Sequence, residues 1–399
     1  MTGPGIEEQT GYSFPLFPTL LLTSIFYIAF ISRIVLAPML PVMEVDLGLG
    51  HGEAGSLFIY IAAGYSLGLF GSGFVSAILN HRRTILISTF LTGLSMLFIS
   101  ISKSAFQMHA GLFMAGVGAG FYLPSGVATL TGLVRKDHWG KGIAVHEIAP
   151  NLAFVTTPML AEILLKFFPW RGAVGVLGAV AFAIGATFLL FGAGGKDKGQ
   201  LPNFPLLRKI ILTSGFWIMV CYFCAAVGSS IGIYTMMPLY FVNEVGIERE
   251  WANTVIGLSR SAGILVLLFS GFAVDRLGPR RAIILFLGTT GVLTILLGFL
   301  DSPVPIIILI FMQAASTACL FPVGFAVISL IFPAQLRNVA ISMIFLVCFL
   351  FGGGLIPTAI GYWAEVFSFS SGIALIGILF LGVLVLALRA RERFIPMDS

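Results

Sequence analysis

Two arginines, Arg33 and Arg260, lie inside long apolar runs of the sequence. A charged side chain in the middle of a membrane helix costs about 2.5–3.5 kcal/mol on insertion scales, and such residues usually face a polar cavity and have a function. Two guanidinium groups present planar, paired N–H donors that suit a carboxylate or another small anion. We therefore predict that both arginines bind an anionic substrate. The alternatives are snorkelling or an internal ion pair, which for Arg260 would be with Glu147.

One acidic residue, Glu147, also lies well inside an apolar run, and it follows His146 directly. A carboxyl group in such surroundings favours its protonated form, because burial penalises the charged form. We therefore predict that Glu147 carries a proton and take His146 as the second candidate. The alternative for Glu147 is an ion pair with Lys141 or Arg337.

Four further polar residues in apolar runs are candidates for contact with the substrate. Asn151 follows Glu147 by four positions, so the two share a helix face. Tyr122, Tyr234 and Gln313 lie in three other apolar runs, where packing between helices is the alternative explanation.

The composition of the chain predicts that these residues lie on long apolar helices. The chain has 399 residues, of which 58% are hydrophobic and 10% are charged, with a mean hydropathy of +1.03. A soluble domain is typically about 25% charged, so the composition excludes a water-soluble enzyme, a nucleic-acid-binding protein and a disordered chain. The net charge of +5 fits basic cytoplasmic loops. Because a spanning helix needs about 20 apolar residues, we expect an all-α polytopic membrane protein in contact with the lipid bilayer.

Gly, Pro and charge clusters divide the apolar runs into twelve predicted spans. These are residues 16–42, 54–78, 83–102, 108–134, 141–167, 171–193, 212–242, 252–275, 281–300, 304–332, 338–364 and 370–390. A polar segment with Lys196, Asp197, Lys198 and Pro202 lies at mid-chain. We therefore predict a six-helix half over residues 1–193, a cytoplasmic linker over 194–211 and a second six-helix half over 212–399.

The distribution of Lys and Arg predicts the orientation, since cytoplasmic loops are enriched in both. With the N-terminus inside, the cytoplasmic basic residues are Arg82, Arg83, Arg135, Lys136, Lys141, Lys196, Lys198, Arg208, Lys209, Arg276, Arg280, Arg281, Arg337, Arg389, Arg391 and Arg393. The external ones are Lys103, Lys166, Arg171 and Arg249. This asymmetry predicts that both termini are cytoplasmic and that the chain lies in the inner (cytoplasmic) membrane.

An internal repeat relates the two halves. A shift of 198 residues aligns Gly73-Phe74 with Gly271-Phe272, and Arg82-Arg83 with Arg280-Arg281. The same shift aligns Pro124-x-Gly126 with Pro322-x-Gly324 and Asp46 with Glu244. The halves are therefore predicted to be parallel repeats, a symmetry that transporters use for alternating access.

The segment Gly271-Phe-Ala-Val-Asp275-Arg276-Leu-Gly278-Pro-Arg280-Arg281 is similar to a loop signature of the major facilitator superfamily. That signature, Gly-x-x-x-Asp-Arg-x-Gly-Arg-Arg, joins the second and third helices of each half. The copy from Gly73 to Arg83 is degenerate, with Ala77 and Ile78 in place of Asp and Arg and Asn80 in place of the second Gly. The resemblance implies a loop that gates the inward side. The alternative for Arg82 and Arg83 is a role in topology alone.

The sequence is similar in part to two branches of the superfamily. Phe26-Tyr27 through Arg33 to Pro41 resembles the first helix of organophosphate/phosphate antiporters, whose second arginine would fall near Ser230 and is missing. Asn151 lies where those antiporters carry a histidine. The run Gly257–Gly263 around Arg260 resembles the eighth helix of nitrate porters, but their second-helix arginine is absent. Because neither branch matches fully, we predict a substrate that is compatible with both resemblances, namely a carboxylate-like organic anion.

The eleventh predicted span contains Gly352-Gly353-Gly354 and Pro357. Such residues permit close packing and a bend in a membrane helix. We interpret the run as part of a gating helix, because no strand or soluble helix flanks it as a phosphate-binding loop would require.

The sequence as a whole predicts a secondary transporter that moves a small organic anion by rocker-switch alternating access. Proton symport is the preferred coupling and anion exchange the next. An exporter of drugs or hydrophobic metabolites with the same fold is the first alternative, and a non-transporting assembly or signalling protein on this scaffold is the second. We expect no enzyme activity, cofactor, metal or nucleic-acid partner, and a monomer.

Overall fold

A computed structural model of the chain describes residues 13–389, apart from the side chains of residues 267–273 and of Ala334. The long helices of this part are α1 Leu16–Leu47, α2 His51–Ile78, α3 His81–Ser100, α4 Ala105–Leu133, α5 Trp139–Phe167, α6 Trp170–Phe191, α7 Ser214–Asn243, α8 Arg249–Leu277, α9 Pro279–Leu297, α10 Pro303–Ile331, α11 Gln335–Val366 and α12 Phe369–Arg389. A 3₁₀ turn, Lys136–His138, precedes α5, and a short helix, Phe204–Ile211, lies between α6 and α7.

The twelve predicted spans are confirmed as helices, and the predicted all-α polytopic fold is confirmed with them. Eleven segments of the described chain are long and apolar enough to cross a membrane. The other long helix, α8, has 29 residues and carries Arg260 in its middle. It includes residues 267–273, whose side chains lie outside the described part of the chain.

The two halves repeat each other's contacts. Asp46, at the end of α1, accepts a hydrogen bond from Nε1 of Trp170 at 2.9 Å and pairs with Arg171, at the start of α6. Glu244 follows α7 and accepts hydrogen bonds from the backbone N–H groups of Phe369 (2.6 Å) and Ser370 (3.2 Å), at the start of α12. The 198-residue repeat of the sequence therefore corresponds to equivalent positions in the fold.

Small residues bring neighbouring helices into contact, as is common in membrane proteins. A Cβ atom on Gly64 of α2 would lie 2.0 Å from the carbonyl oxygen of Phe113 in α4. A Cβ on Gly116 of α4 would lie 2.2 Å from the carbonyl oxygen of Ile61. Larger side chains at these two positions would separate the backbones of α2 and α4.

Three of the long helices are irregular near their middles. The α-helical geometry of α1 is interrupted at Val35, and α7 and α11 contain π-helical segments, Gly228–Gly232 and Phe349–Leu355. Segments of π-helix occur frequently at functional sites. The glycine run of α11, which was predicted to permit close packing and a bend, lies in one of these π-helical segments.

The polar segment between α6 and α7 packs on the turn between α2 and α3. The N–H of Arg82 donates to the Gly195 carbonyl at 2.7 Å, and the N–H of Gly199 donates to Ser76 at 3.1 Å. The segment also contains the helix Phe204–Ile211, in which Oδ1 of Asn203 accepts from the N–H of Leu206 at 3.2 Å. An Asn cap followed by Pro in the first turn favours the start of a helix. The predicted linker therefore contains a short helix.

Candidate functional site

Arg33 is almost fully buried, with 7% of its surface exposed. Its guanidinium carbon lies 4.1 Å from the ring centre of Tyr65, 4.4 Å from that of Phe30 and 5.2 Å from that of Phe349. Among the described residues, its Nε and Nη1 atoms have no hydrogen-bond partner. The rings stabilise the cation through its charge, while two N–H donors stay available.

Arg260 is in a similar environment on the other half of the protein. Its guanidinium carbon lies 4.7 Å from the ring centre of Tyr234 and 5.2 Å from that of Phe154. Its Nε atom also lacks a hydrogen-bond partner within the described part of the chain. The ion pair with Glu147, which was the alternative to anion binding, is not formed among the described residues, and Arg260 contacts aromatic rings instead.

The two arginines are connected by aromatic rings in contact. The ring of Phe30 meets that of Phe154 edge to face at 5.0 Å, and Phe154 meets Tyr234 in the same way at 5.2 Å. Phe30 contacts Arg33, and both Phe154 and Tyr234 contact Arg260. The predicted anion-binding residues therefore belong to one cluster, to which Tyr234 also belongs.

A small cavity of about 20 Å³ adjoins Arg33. Its walls are formed by Phe58, Ile61, Ala62, Tyr65, Ile231, Phe349 and Gly353 as well as by Arg33. By the 198-residue shift, Ile231 is the repeat partner of Arg33, and Ala62 is the repeat partner of Arg260. The cavity therefore lies where equivalent positions of the two halves meet, which is where transporters of this symmetry bind their substrates.

His146 is fully buried and belongs to a hydrogen-bonded chain between α1, α4 and α5. The Tyr122 hydroxyl donates its single proton to the Leu22 carbonyl at 2.6 Å. Nε2 of His146 lies 3.0 Å from the same hydroxyl oxygen, so Nε2 must supply the hydrogen of that bond. This network assigns the neutral tautomer of His146 as Nε2–H, with Nδ1 free of hydrogen.

The other ring nitrogen of His146 faces Glu147. Nδ1 lies 3.3 Å from Oε1 of Glu147. An Nδ1 atom without hydrogen and a carboxylate both only accept hydrogen bonds. A hydrogen bond between them therefore requires one additional proton, either on the imidazole or on the carboxyl group.

The environment of Glu147 differs from the predicted one. Its side chain is 49% exposed, whereas that of His146 is 1% exposed, so the deeply buried member of the pair is the histidine. The partner of Glu147 is His146 rather than Lys141 or Arg337. A run of apolar letters does not distinguish a lipid-facing helix surface from one beside a cavity, and this is why the sequence predicted burial.

The other predicted substrate-binding residues lie outside the arginine cluster. Tyr122 is fully buried beside His146. Nδ2 of Asn151 donates to the Glu147 carbonyl at 2.9 Å, and Nε2 of Gln313 donates to the Ser229 carbonyl at 3.3 Å. Asn151 is therefore bonded within its own helix, α5, and Gln313 is bonded to the π-helical segment of α7.

The predicted gating loop of the first half is held by backbone contacts. The Arg82 guanidinium donates to the carbonyl oxygens of Gly192 and Leu189, at the end of α6, and the N–H of Arg83 is capped by Asn80 at 2.9 Å. Asn80 has a φ angle of 122°, and its repeat partner Gly278 has one of 78°. With ψ angles of 168° and 156°, both residues lie in a region that is essentially restricted to glycine, so Asn80 keeps the backbone shape of the signature glycine at a cost in strain.

The remaining residues of the predicted gating loops lie at the same end of the bundle. Gly73 faces the linker, since a Cβ there would lie 3.4 Å from Cγ of Pro202. The exposed residues of the second copy are Asp275, Arg276, Arg280 and Arg281. Gly271 is placed in α8 by its backbone, and its surroundings lie outside the described side chains.

A second charged cluster lies at the opposite end, which we call the far end: the end of the bundle with the loop Gly48–Gly50. Glu162 of α5 is 5% exposed. Its Oε1 and Oε2 accept hydrogen bonds from Nε and Nη2 of Arg249, both at 3.0 Å, and Oε1 accepts one from Asn253 at 2.5 Å. Asn253 also donates to the Pro38 carbonyl at 3.0 Å. We call Glu162, Arg249 and Asn253 the far-end lock, because it joins the two halves.

The far-end lock could not be predicted from the sequence. Glu162 lies near the end of its apolar run, where a charge needs no special explanation, and Arg249 was assigned to an external loop. The only available signal was the presence of complementary charges near the ends of two different spans.

The Major Facilitator Superfamily model matches residues 22–270 and 250–396 of the chain. A probable sulfoacetate transporter of Cupriavidus necator is 21% identical over 67% of this chain and 68% of its own length. A nitrite extrusion protein of Bacillus subtilis is 22% identical over 65% of this chain and 66% of its own. The alignments thus span about two thirds of these relatives.

Solved structures share the whole fold. An inward-facing, unoccupied bacterial homologue of the human lysosomal transporter Spinster matches with a TM-score of 0.78 and 13% identity, covering 96% of this chain and 97% of that one. A D-xylose–proton symporter matches with a TM-score of 0.77 and 15% identity, covering 96% and 98%. At this identity the likeness establishes the fold.

Proposed function

The chain belongs to the major facilitator superfamily, and on that premise we propose that this transporter moves a small organic anion together with a proton. The observation that carries the proposal is that Arg33, which is buried, and Arg260, which is partly buried, both keep N–H donors without a hydrogen-bond partner among the described residues. A buried charge left without a partner is strongly destabilising. An anionic substrate would supply the missing counter-charge and accept the missing hydrogen bonds.

The relatives support an anion as the substrate class. Three similar proteins are a probable sulfoacetate transporter, a nitrite extrusion protein and a probable hexose phosphate transport protein, and the three compounds in their names are anions. Carboxylates, sulfonates and phosphates can each accept two parallel hydrogen bonds from one guanidinium group.

We assign the proton to the pair His146 and Glu147. The hydrogen bond from Nε2 of His146 to the Tyr122 hydroxyl leaves Nδ1 to face the carboxyl oxygen. With one shared proton the pair has no net charge, and without it the pair has a charge of −1. The pair therefore changes its charge by one unit when it takes up or releases a proton.

This change of charge couples proton binding to anion binding. Phe26 stacks on the His146 ring at 4.6 Å and contacts Phe30, which also lies against Arg33. A deprotonated pair would repel a nearby anion, so proton binding raises the affinity for the anion and the reverse holds by linkage. Such coupling is what symport requires.

The far-end lock supports alternating access. It closes one end of the interface between the halves through Glu162, Arg249 and Asn253. Lys166 and Glu250 add a second ion pair between the halves, at 2.6 Å. A conformation open to the far end would have to break these contacts, so we infer that the structure represents the state closed at that end.

We further propose that the far end is external, that both termini are cytoplasmic and that the protein lies in the cytoplasmic membrane as a monomer. The excess of Lys and Arg at the opposite end supports this orientation. We also propose that residues 1–193 form the first half, residues 194–211 the linker and residues 212–399 the second half. The 198-residue repeat supports this division, because it relates the two halves to each other.

A ligand screen on purified protein tests the proposal. Thermal unfolding is followed with added carboxylates, sulfonates, phosphates, nitrate and cationic drugs, since a ligand of the folded state raises the apparent stability. We expect stabilisation by at least one organic anion, and loss of that stabilisation in a monodisperse Arg260→Ala sample. Stabilisation by a cationic drug alone, unchanged in Arg260→Ala, would instead support the drug-exporter alternative.

A further inference from the structure

The wall of the cavity beside Arg33 is almost entirely apolar. Apart from the guanidinium group and the Tyr65 hydroxyl, the residues around it are Phe58, Ile61, Ala62, Ile231, Phe349 and Gly353. Pockets of this type recognise the body of a ligand by burying apolar surface, while a few polar groups fix its orientation. The charge of a ligand would be recognised by Arg33 and its body by aliphatic and aromatic side chains.

Hydroxyl groups on helices near this cavity already donate to the backbone. Oγ of Ser66 donates to the Leu346 carbonyl at 2.7 Å, and Oγ of Ser230 donates to the Val227 carbonyl at 3.2 Å. The Tyr234 hydroxyl donates to the Phe154 carbonyl at 3.3 Å. Each of these groups has one proton, so these three have no donor left for a ligand.

We propose that the substrate is a small carboxylate or sulfonate with an apolar body, such as an alicyclic, aromatic or short aliphatic acid, rather than a hydroxylated sugar acid. This inference rests on the proposed function, because it specifies the substrate of the same anion site. A hydroxyl group that enters an apolar pocket loses its hydrogen bonds to water, and in this wall the Tyr65 hydroxyl is the one uncharged side-chain group that could replace one of them. A ligand with several hydroxyl groups would lose affinity at each of them.

The size of the ligand that can bind depends on how far the wall of the cavity shifts. A cavity of about 20 Å³ has room for roughly one water molecule, so the wall must shift when a substrate enters. Ile231 and Phe349 are contributed by the π-helical segments of α7 and α11. Because the final volume depends on this movement, the chemistry of the wall is best tested with ligands of equal ring size.

Cyclohexanecarboxylate and quinate are a matched pair of probes. Both have a six-membered carbon ring and one carboxylate, and quinate adds hydroxyl groups around the ring. Dissociation constants are measured for both by isothermal titration calorimetry on the purified full-length protein at one pH. An apolar pocket disfavours a single added hydroxyl by roughly 100-fold, so we expect cyclohexanecarboxylate to bind at least about 100-fold more tightly.

Two further measurements make the result specific to this wall. Hexanoate and gluconate repeat the comparison with a straight carbon chain. Ala62→Ser adds one hydroxyl to the wall without removing a side chain, and it should reduce the ratio between the two ring compounds in a monodisperse sample. An unchanged ratio in Ala62→Ser would argue against contact between the ligand body and this wall.

The outcomes separate this inference from the proposed function. If quinate or gluconate binds as tightly as its apolar counterpart, the inference is wrong, whereas the anion site and the proposed function stand. If no organic anion binds while a cationic or neutral compound does, the proposed function itself is wrong.

Discussion

At the scale of the residue, the arginines are stabilised as cations but not satisfied as hydrogen-bond donors. A guanidinium group over an aromatic ring gains about 0.5–2 kcal/mol from the charge of the ring face. Each buried donor left without a partner costs about 1–3 kcal/mol. Arg33 has two such nitrogens and Arg260 has one among the described residues. The free energy lost at these donors in the empty site is recovered when an anion accepts their hydrogen bonds.

Replacing Arg260 by Lys tests this argument. Lys keeps the charge but lacks the planar pair of donors, so Arg260→Lys should lose nearly as much affinity as Arg260→Ala. Loss of one charge-assisted hydrogen bond, about 1.5–3 kcal/mol, weakens binding roughly 10- to 150-fold. Affinity for the best anion from the screen is measured by calorimetry. Arg208→Lys, on the exposed face of the linker helix, is the matched control and should bind normally. Normal affinity in a well-folded Arg260→Lys protein would rule out the two-donor clamp.

Replacing Glu147 by Gln tests the proton site. Gln keeps the size and hydrogen-bonding capacity of the side chain but holds the pair without net charge, as the shared proton does. Glu147→Gln should therefore abolish uptake driven by a pH gradient in proteoliposomes, while counterflow exchange and anion binding survive. Glu248→Gln, an exposed carboxyl without a side-chain cap bond, serves as the control and should retain acid-driven uptake. Full acid-driven uptake in Glu147→Gln would remove Glu147 from the mechanism.

The types of these functional residues could be predicted from the sequence, but their surroundings could not. Arg33 and Arg260 were identifiable because a charge inside an apolar run is costly. The rings around them come from α1, α2, α5, α7 and α11, and only the tertiary structure brings these helices together. The role of Tyr122 in fixing the tautomer of His146 was hidden for the same reason, because it depends on the Leu22 carbonyl of a third helix.

At the scale of the element, α7 and α11 meet at their π-helical segments. A Cβ on Gly352 of α11 would lie 2.7 Å from the backbone nitrogen of Gly228 in α7. A Cβ on Gly232 would lie 2.5 Å from the Gly352 carbonyl oxygen. The two backbones are therefore in direct contact beside the cavity, and a change in either segment alters its wall. The glycine run predicted close packing in α11, but it did not identify the partner helix.

Two adjacent glycines of this run provide a matched comparison. Gly352→Ala inserts a methyl group against backbone atoms and should destabilise the protein by about 1–3 kcal/mol, the usual cost of overpacking. Gly353→Ala has its nearest neighbour at 3.8 Å, Cγ2 of Ile231, and should be tolerated. The midpoint of thermal unfolding is measured for both variants in the same detergent. Equal midpoints, or a lower one for Gly353→Ala, would contradict the observed packing of α7 against α11.

At the scale of the whole molecule, the two halves are similar in fold and different in chemistry. The repeat partner of Arg33 is Ile231 and that of Arg260 is Ala62, and both partners line the cavity beside Arg33. The repeat thus provides two pairs of equivalent positions around the centre, and each pair carries one charge. The candidate proton site is asymmetric as well. Its residues, His146, Glu147 and Tyr122, all lie in the first half.

Reporter fusions test the orientation of the molecule. A reporter in the linker, residues 194–207, or after Ser399 should be cytoplasmic, because most loop Lys and Arg residues lie on that side. A reporter inserted at Gly50 should be external. Alkaline phosphatase and green fluorescent protein fusions, active on opposite sides of the membrane, are measured at each position. External activity of the linker fusion would contradict the predicted topology and span order.

The far-end lock predicts how the equilibrium between conformations responds to a single change. Glu162 accepts two hydrogen bonds from Arg249 and one from Asn253, and Glu162→Gln removes the charge that holds them. Hydrogen bonds to charged groups contribute about 1.5–3 kcal/mol, so the ratio of closed to open molecules should fall roughly 10- to 150-fold. Spin labels at Val45 and Val366, which are 86% and 73% exposed at the far end, should then show a longer distance in a cysteine-free background.

The exposed pair of the same interface is the matched control. Lys166 and Glu250 also join α5 to α8, but their side chains are 57% and 51% exposed. Exposed ion pairs contribute about 0–1 kcal/mol, so Glu250→Gln should leave the distance distribution nearly unchanged. If Glu162→Gln and Glu250→Gln give the same distribution as the parent protein, the closure of the far end does not depend on charge. It would then rest on the apolar and backbone contacts between the halves, such as the approach of Gly55 in α2 to the Pro357 carbonyl in α11.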